Sequence, residues 1–179
     1  HSFPTRRSAD LTYKRDRRTR SECLAGKRKS APLIVLRHGK ARPRKTWRSS
    51  DRKRPLDRLG ERQAELIVAV LEAYAAERVV SSPSRRCAMT LAPYAEVAGV
   101  ELEVTKALAE EDATGEGVAA VIEDLMATGR PTVLCSHRPV LPLVSDALGI
   151  APMALDPAEL LVAHHRHGRV IATERHAIT

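Results

Sequence analysis

An α/β fold with three layers is what this 179-residue sequence predicts: a mostly parallel central sheet flanked by helices, closed by a C-terminal β-hairpin. Three observations carry that reading. Short unbroken apolar runs, Leu33-Ile34-Val35-Leu36 and Val133-Leu134-Cys135, read as strands buried on both faces. Other segments place apolar residues at helical spacing. The two kinds of segment alternate along the chain, as they do when crossover helices join parallel strands.

The elements follow in chain order. Residues 32–36 form the first strand. Residues 38–55 are a long, very basic loop without periodicity. Asp57 can cap a helix of about twenty residues, striped with Leu59, Ala64, Leu66, Ile67, Val70, Leu71 and Tyr74. Residues 78–81 are the second strand. Residues 85–98 read as a helix interrupted at Pro93, with Gly99 placed to stop it. Residues 101–104 alternate polar and apolar like an edge strand. Thr114 opens a helix running to residue 128, with Val118, Val121, Ile122 and Leu125 on one face, and Gly129-Arg130-Pro131 breaks it. Residues 132–135 are a strand, followed by a helix ending near Gly149. Residues 160–163 and 169–173 flank a turn at His167-Gly168 and read as the hairpin. Aromatic residues are only 3% of the chain, so Leu, Val, Ile and Ala must build the core.

Charge is divided sharply. Residues 1–62 hold 21 Lys and Arg against 6 Asp and Glu, a net of +15, whereas residues 63–179 hold 9 against 16, a net of −7. A basic N-terminus is one signature of nucleic-acid binding. Only Trp47 is interleaved with these cations as a stacking platform, which argues against nucleic acid as a partner. The cations read instead as the lining of a phosphate pocket plus a solvated segment. Cys23, Cys87 and Cys135 are odd in number and widely spaced, which suits reduced thiols in a cytoplasmic protein rather than a disulfide framework or a zinc site. No apolar run approaches the ~20 residues of a membrane span.

The chemistry lies at strand ends. Leu33 to Gly39 reads as a buried strand that delivers Arg37 and His38 to the carboxyl edge of the sheet, where open α/β sheets bind ligands. A guanidinium beside an imidazole suits a phosphoryl group: one neutralises its oxygens and the other can attack phosphorus. Residues 78–90 read as strand, tight turn and helix, with Ser82 and Pro83 in the turn and Arg85 and Arg86 opening the helix. Residues 133–139 form a second buried strand, ending in Ser136-His137.

With Arg37-His38-Gly39, Ser81-Ser82-Pro83-Ser84-Arg85-Arg86 and Ser136-His137 in this order, the chain resembles the histidine phosphatase superfamily, of phosphoglycerate-mutase-like fold, over roughly residues 32–150. The resemblance implies a metal-independent phosphatase with no cofactor. His38 would be the nucleophile, neutral when it attacks. Arg37 and Arg86 would bind the phosphoryl oxygens, and His137, protonated, would donate to them. The family often places an acid after a Leu-x-Glu segment, and Leu108-Ala109-Glu110 matches; Glu110 is the proton donor chosen, with Glu111 and Asp112 its alternatives.

The basic loop hints at the substrate. Lys40, Arg44, Lys45 and Arg54, with Ser82, are expected to bind it, and so many cations suit a polyphosphate chain or a nucleotide. The stretches from Lys40 to Gly60 and from Ala172 to His176 look like the phosphatase domain attached to actinobacterial Nudix hydrolases, which implies nucleoside polyphosphates. The chain is similar also to small bacterial phosphohistidine phosphatases, which leaves a phosphorylated signalling protein as the alternative substrate. A binding module without catalysis is the reading from another class. His164, His165, His167 and His176 read as a solvated hairpin rather than a metal site. Residues 1–11 look like an adapter artefact, residues 11–17 are similar to the end of a Nudix domain, and residues 18–31 read as a linker. The expectation is a disordered or artefactual segment over 1–31, the remnant of a missing Nudix domain, and a phosphatase domain over 32–179.

Overall fold

The structure, a computed structural model, describes residues 30–178. The expected N-terminal segment and its Nudix-like stretch lie outside the described residues, apart from residues 30 and 31. Six strands and four α-helices follow one another: β1 (Ala31–Arg37), α1 (Arg58–Ala73), β2 (Arg78–Ser81), α2 (Arg85–Ala98), β3 (Leu102–Val104), α3 (Gly115–Ala127), β4 (Thr132–Ser136), α4 (Leu141–Leu148), β5 (Leu160–Arg166) and β6 (Arg169–His176).

The strands form one sheet in the order β3-β2-β4-β1-β5-β6. β3, β2, β4 and β1 run parallel, and β5 and β6 add an antiparallel pair at the β1 edge. Alternation along β1 divides the core. Leu33 and Val35 face one way, toward Val118, Ile122 and Leu125 of α3 and Leu141 and Val144 of α4. Ile34 and Leu36 face the other way, toward Ile67 and Leu71 of α1 and Leu91 and Tyr94 of α2. This gives the three layers that the doubly buried runs required.

Local chemistry sets the boundaries. Asp57 caps α1, accepting from the Gly60 amide at 2.9 Å, and Thr114 caps α3 by accepting from Gly117 at 3.1 Å. Gly99 and Gly149 end α2 and α4 in the left-handed conformation. One expectation needs correcting. α2 is continuous through Pro93. Proline removes one amide donor, and the buried contacts of Leu91, Tyr94 and Ala95 on either side hold the helix together. The long basic loop also has local order: two short 3₁₀ turns, Arg44–Thr46 and Asp51–Lys53, and a bridge between Ala41 and Leu56.

The loop after β1 is pressed against the start of α1. A Cβ built on Gly60 would meet the Lys40 carbonyl oxygen at 2.0 Å, and one on Gly39 would meet the Gly60 oxygen at 3.0 Å. Only glycine permits that approach. Buried Gln63, one turn into α1, receives the Lys40 amide at 2.9 Å, and Asp57 donates its amide to Lys40 at 2.9 Å. The residues after His38 are thereby fixed to a helix rather than left as a loop. Among the described residues no helix is long and apolar enough to cross a membrane.

Candidate active site

β1 and β4 are parallel neighbours, with Arg37 opposite Ser136. The residues just past their carboxyl ends, His38 and His137, therefore meet, and their ring centroids are 5.3 Å apart. β2 lies on the far side of β4, and its turn feeds α2, whose first residues point back at the same spot. Arg86 is fully buried there.

One guanidinium joins the three motifs. Arg86 Nε donates to His38 Nε2 at 3.2 Å, and Nη2 donates to His137 Nδ1 at 3.1 Å. Nη1 donates to the Asp51 carbonyl at 2.9 Å and is 3.0 Å from that residue's carboxylate, while Nη2 also reaches Glu110 Oε2 at 3.3 Å. Because arginine only donates, this pattern assigns both tautomers. His38 carries its proton on Nδ1, donated to the Gly39 carbonyl at 2.8 Å, and keeps a lone pair on Nε2. His137 carries its proton on Nε2, donated to Ser82 Oγ at 2.8 Å.

Burial and the neighbouring guanidinium groups of Arg86, Arg37 and Arg54 push the His38 pKa down to about 4. Burial, Arg86 and His38 push that of His137 down to about 3. In the free site His137 is therefore neutral, where the expectation for the substrate-bound site is a protonated imidazole. Its Nδ1 faces a guanidinium and its Nε2 proton is taken by Ser82, so a cationic imidazole has no place there until an anion enters.

The cleft around His38 has a volume of about 350 Å³. Arg37, His38, Lys40, Arg44, Arg54, Arg86, Glu110 and His137 all line it, as does Arg138. Arg37 is anchored by Nη1 on the Leu155 carbonyl at 2.8 Å. Of the three consecutive acids, Glu110 faces the cleft; Asp112 and Glu111 turn outward to Arg52, at 2.8 and 3.8 Å.

Two residues expected at the substrate lie elsewhere. Ser82 is fully buried behind His137, so it supports that imidazole rather than touching substrate. Lys45 is exposed on the first 3₁₀ turn and does not line the cleft. Trp47 is tied down too, its indole donating to the Ser50 carbonyl at 3.0 Å.

Four residues were missed by sequence reasoning. Asp51 binds Arg54 at 2.7 Å, Arg44 at 3.1 Å and Arg86 at 3.0 Å. A lone acid among eight loop cations was the available signal. Arg138, directly after His137, offers as its signal a cation at a strand end. Thr90 takes the Gly39 amide at 3.0 Å and donates to the Arg86 carbonyl at 2.7 Å, coupling α2 to the His38 loop. Gln63 was the fourth, and neither it nor Thr90 has a local signature. The hairpin histidines pair within their own surroundings: His164 with Glu174 at 2.6 Å and His176 with Tyr74 at 2.7 Å.

Comparison with known proteins gives the family and the fold. Residues 33–115 match the family model of the histidine phosphatase superfamily (branch 1). An 8-oxo-(d)GTP phosphatase of Mycolicibacterium smegmatis is 33% identical over 134 residues, 74% of this chain and 42% of that protein. The chain therefore spans well under half of that relative. Among solved structures, the protein histidine phosphatase SixA superposes with a TM-score of 0.66 at 23% identity, over 82% of this chain and 94% of its own. A mycobacterial glucosyl-3-phosphoglycerate phosphatase superposes with a TM-score of 0.61 at 18% identity, over 82% and 97%. At such identities the two structures show a shared fold. With the family match running from β1 through the Glu110 turn, the chain belongs to the histidine phosphatase superfamily.

Proposed function

We propose that this domain removes a phosphoryl group from a nucleoside polyphosphate, or a related phosphorylated small molecule, in the cytoplasm and without a metal, through a phosphohistidine at His38. The observation that carries this is the state of His38 Nε2: an unprotonated nitrogen facing a cleft, with Arg37, Arg54 and Arg86 around it. A neutral imidazole ringed by cations is primed to attack an anionic phosphoryl group.

The phosphoryl oxygens displace the Arg86 contacts to His38 and Glu110 and take those donors themselves. His38 Nε2 then attacks phosphorus, and the bond from phosphorus to the leaving oxygen breaks. Glu110, on the cleft wall, takes up a proton from solvent as the arriving anion displaces it from Arg86, and gives that proton to the leaving oxygen. In the second half, water attacks the phosphohistidine, Glu110 takes a proton from it, the N–P bond breaks, and phosphate leaves. His137 Nδ1 gains a proton as the anion arrives and donates to the phosphoryl oxygens.

Charge favours a substrate with more than one phosphate. Arg37, Lys40, Arg44, Arg54, Arg86 and Arg138 are six cations on one cleft, and Glu110 and Asp51 are the two carboxylates against them. A monoester dianion leaves much of that excess unmatched; a diphosphate or triphosphate chain uses it. The name of the mycobacterial relative also supports a nucleotide.

The test is phosphate release in excess EDTA from nucleoside di- and triphosphates, dinucleoside polyphosphates and a phosphohistidine peptide, with His38→Ala alongside. Release that vanishes in the variant, with an acid-labile phosphoenzyme trapped in the wild type, is expected, and the nucleotides should lead. A preference for the peptide would move the substrate to signalling proteins. Release that survives His38→Ala would sink the phosphohistidine route.

A further inference from the structure

The phosphoryl-binding arginines share one anion that does not line the cleft. Asp51 sits on the second 3₁₀ turn of the basic loop, 20% exposed, behind Arg86, which is 0% exposed, and Arg54, which is 14% exposed. Its carboxylate lies 3.0 Å from Arg86 Nη1, 2.7 Å from Arg54 Nε and 3.1 Å from Arg44 Nε. The carboxylate contact is an ion pair, and the hydrogen bond from Arg86 Nη1 goes to the Asp51 backbone carbonyl at 2.9 Å. The next residue, Arg52, pairs with Asp112 in the turn that carries Glu110, so the 3₁₀ turn is tied to that turn as well.

We infer that Asp51 is the positioning residue of the transfer, holding Arg86 by one edge and setting Arg54 and Arg44 in line behind it for the next phosphate. This rests on the phosphatase reading above. The division of labour on Arg86 is the core of it. Nη1 is committed to Asp51, on the side away from the cleft. Nε and Nη2 are the donors on His38, His137 and Glu110, and those are the ones a phosphoryl group can take. Glu110 cannot be the lasting counter-charge, because its task is to exchange a proton with the leaving group. A buried guanidinium that loses Glu110 during the reaction still needs a fixed anion, and Asp51 supplies it. Arg44 and Arg54 hold the same carboxylate down as a charged group, well below the usual carboxylate range. Three cations gathered on one carboxylate also keep fixed spacing where they would otherwise repel one another.

The experiment is steady-state kinetics of Asp51→Asn and Asp51→Glu on the best nucleotide substrate of the wild type, with thermal unfolding of each. Asp51→Asn keeps the side-chain shape and the backbone carbonyl but removes the charge. The expected result is a kcat lower by about 10–100-fold, the size of a misplaced catalytic group. KM should stay level or fall, because the cations lining the cleft lose a negative charge behind them. Asp51→Glu restores most of kcat. Adding Asp51→Asn to Arg54→Gln should cost less than it does alone, since the two act on one arrangement. A kcat within about twofold of wild type, or a rise in KM with kcat unchanged, overturns the inference. So does full additivity with Arg54→Gln. Should the wild type hydrolyse nothing, the phosphatase reading fails separately, and the inference is then read from ligand binding. Asp51→Asn should lower the ratio of orthovanadate to phosphate affinity by a similar factor, and an unchanged ratio overturns it.

Discussion

Arg86 Nε donates to His38 Nε2 at 3.2 Å, so a buried guanidinium covers the lone pair that would attack phosphorus. The same guanidinium holds His137 through Nδ1. The free site is therefore self-satisfied: the donors of Arg86 are spent on its own two imidazoles. On the proposed route a phosphoryl group would enter by taking over those bonds, which would couple substrate binding to exposure of the attacking nitrogen.

Replacing Arg86 by Ala should lower kcat by about 10²–10³-fold, the usual loss when one donor to a developing anion is removed. It should also raise the pKa of both imidazoles, since Arg86 is among the groups that depress each. Kinetics and an NMR titration of the histidine ring protons check the two halves; an unshifted His137 would contradict the electrostatic account.

The wild-type imidazoles make a prediction of their own. His38 should titrate near pH 4 and His137 near pH 3, against an ordinary value of about 6.5. Between pH 6.5 and those values the unfolded chain holds protons that the folded chain does not. Stability therefore falls as pH drops through that window, and these two residues contribute no such loss above it. Ring-proton NMR of the free protein is the direct measurement, and a midpoint near 6.5 for either residue refutes it. Saturating phosphate should move both midpoints upward, by adding a nearby anion.

In the proposed role of acid, Glu110 should separate good leaving groups from poor ones. Glu110→Gln should cost about 10²–10⁴-fold on an alkyl phosphate, which needs a proton to depart. It should cost much less on p-nitrophenyl phosphate, which does not. Equal losses on both substrates would remove Glu110 from the role of acid, while the same experiment on Glu111→Gln and Asp112→Asn should show little change, because both face Arg52.

Gly60→Ala should destabilise the fold by about 1–3 kcal/mol, the range for forcing an extra methyl into a packed site. Its Cβ would strike the Lys40 carbonyl, so the shift should travel two residues to His38 and reduce activity as well. Chemical denaturation and kinetics on one preparation would show both losses; a variant of native stability would show that the contact relaxes freely.

The sheet and the strand ends that line the cleft were legible because each is a local event. An apolar run ending in Arg37-His38-Gly39 or Ser136-His137 says where a strand stops and what it presents. What was not legible depends on groups distant in sequence. Ser82 was read as a substrate contact from its place in a turn, yet its depth is decided by His137, which covers it. His137 was read as a cation from its expected task, yet its charge is set by Arg86, from another helix. Asp51 looked like one acid in a basic loop, and only the fold shows three arginines converging on it. Pro93 was read as a helix interruption, and tertiary packing overrode that propensity.

The two histidines come together only because β1 and β4 pair with Arg37 opposite Ser136. Half the chain intervenes between these strands, and it includes β2, which must itself lodge against β4. No fragment and no early intermediate holding only local structure can own a working site, since closing so long a loop belongs to the late part of folding. Helix signals would return first in a refolding experiment and turnover last, which makes enzymatic activity a clock for the closing of the central parallel pair.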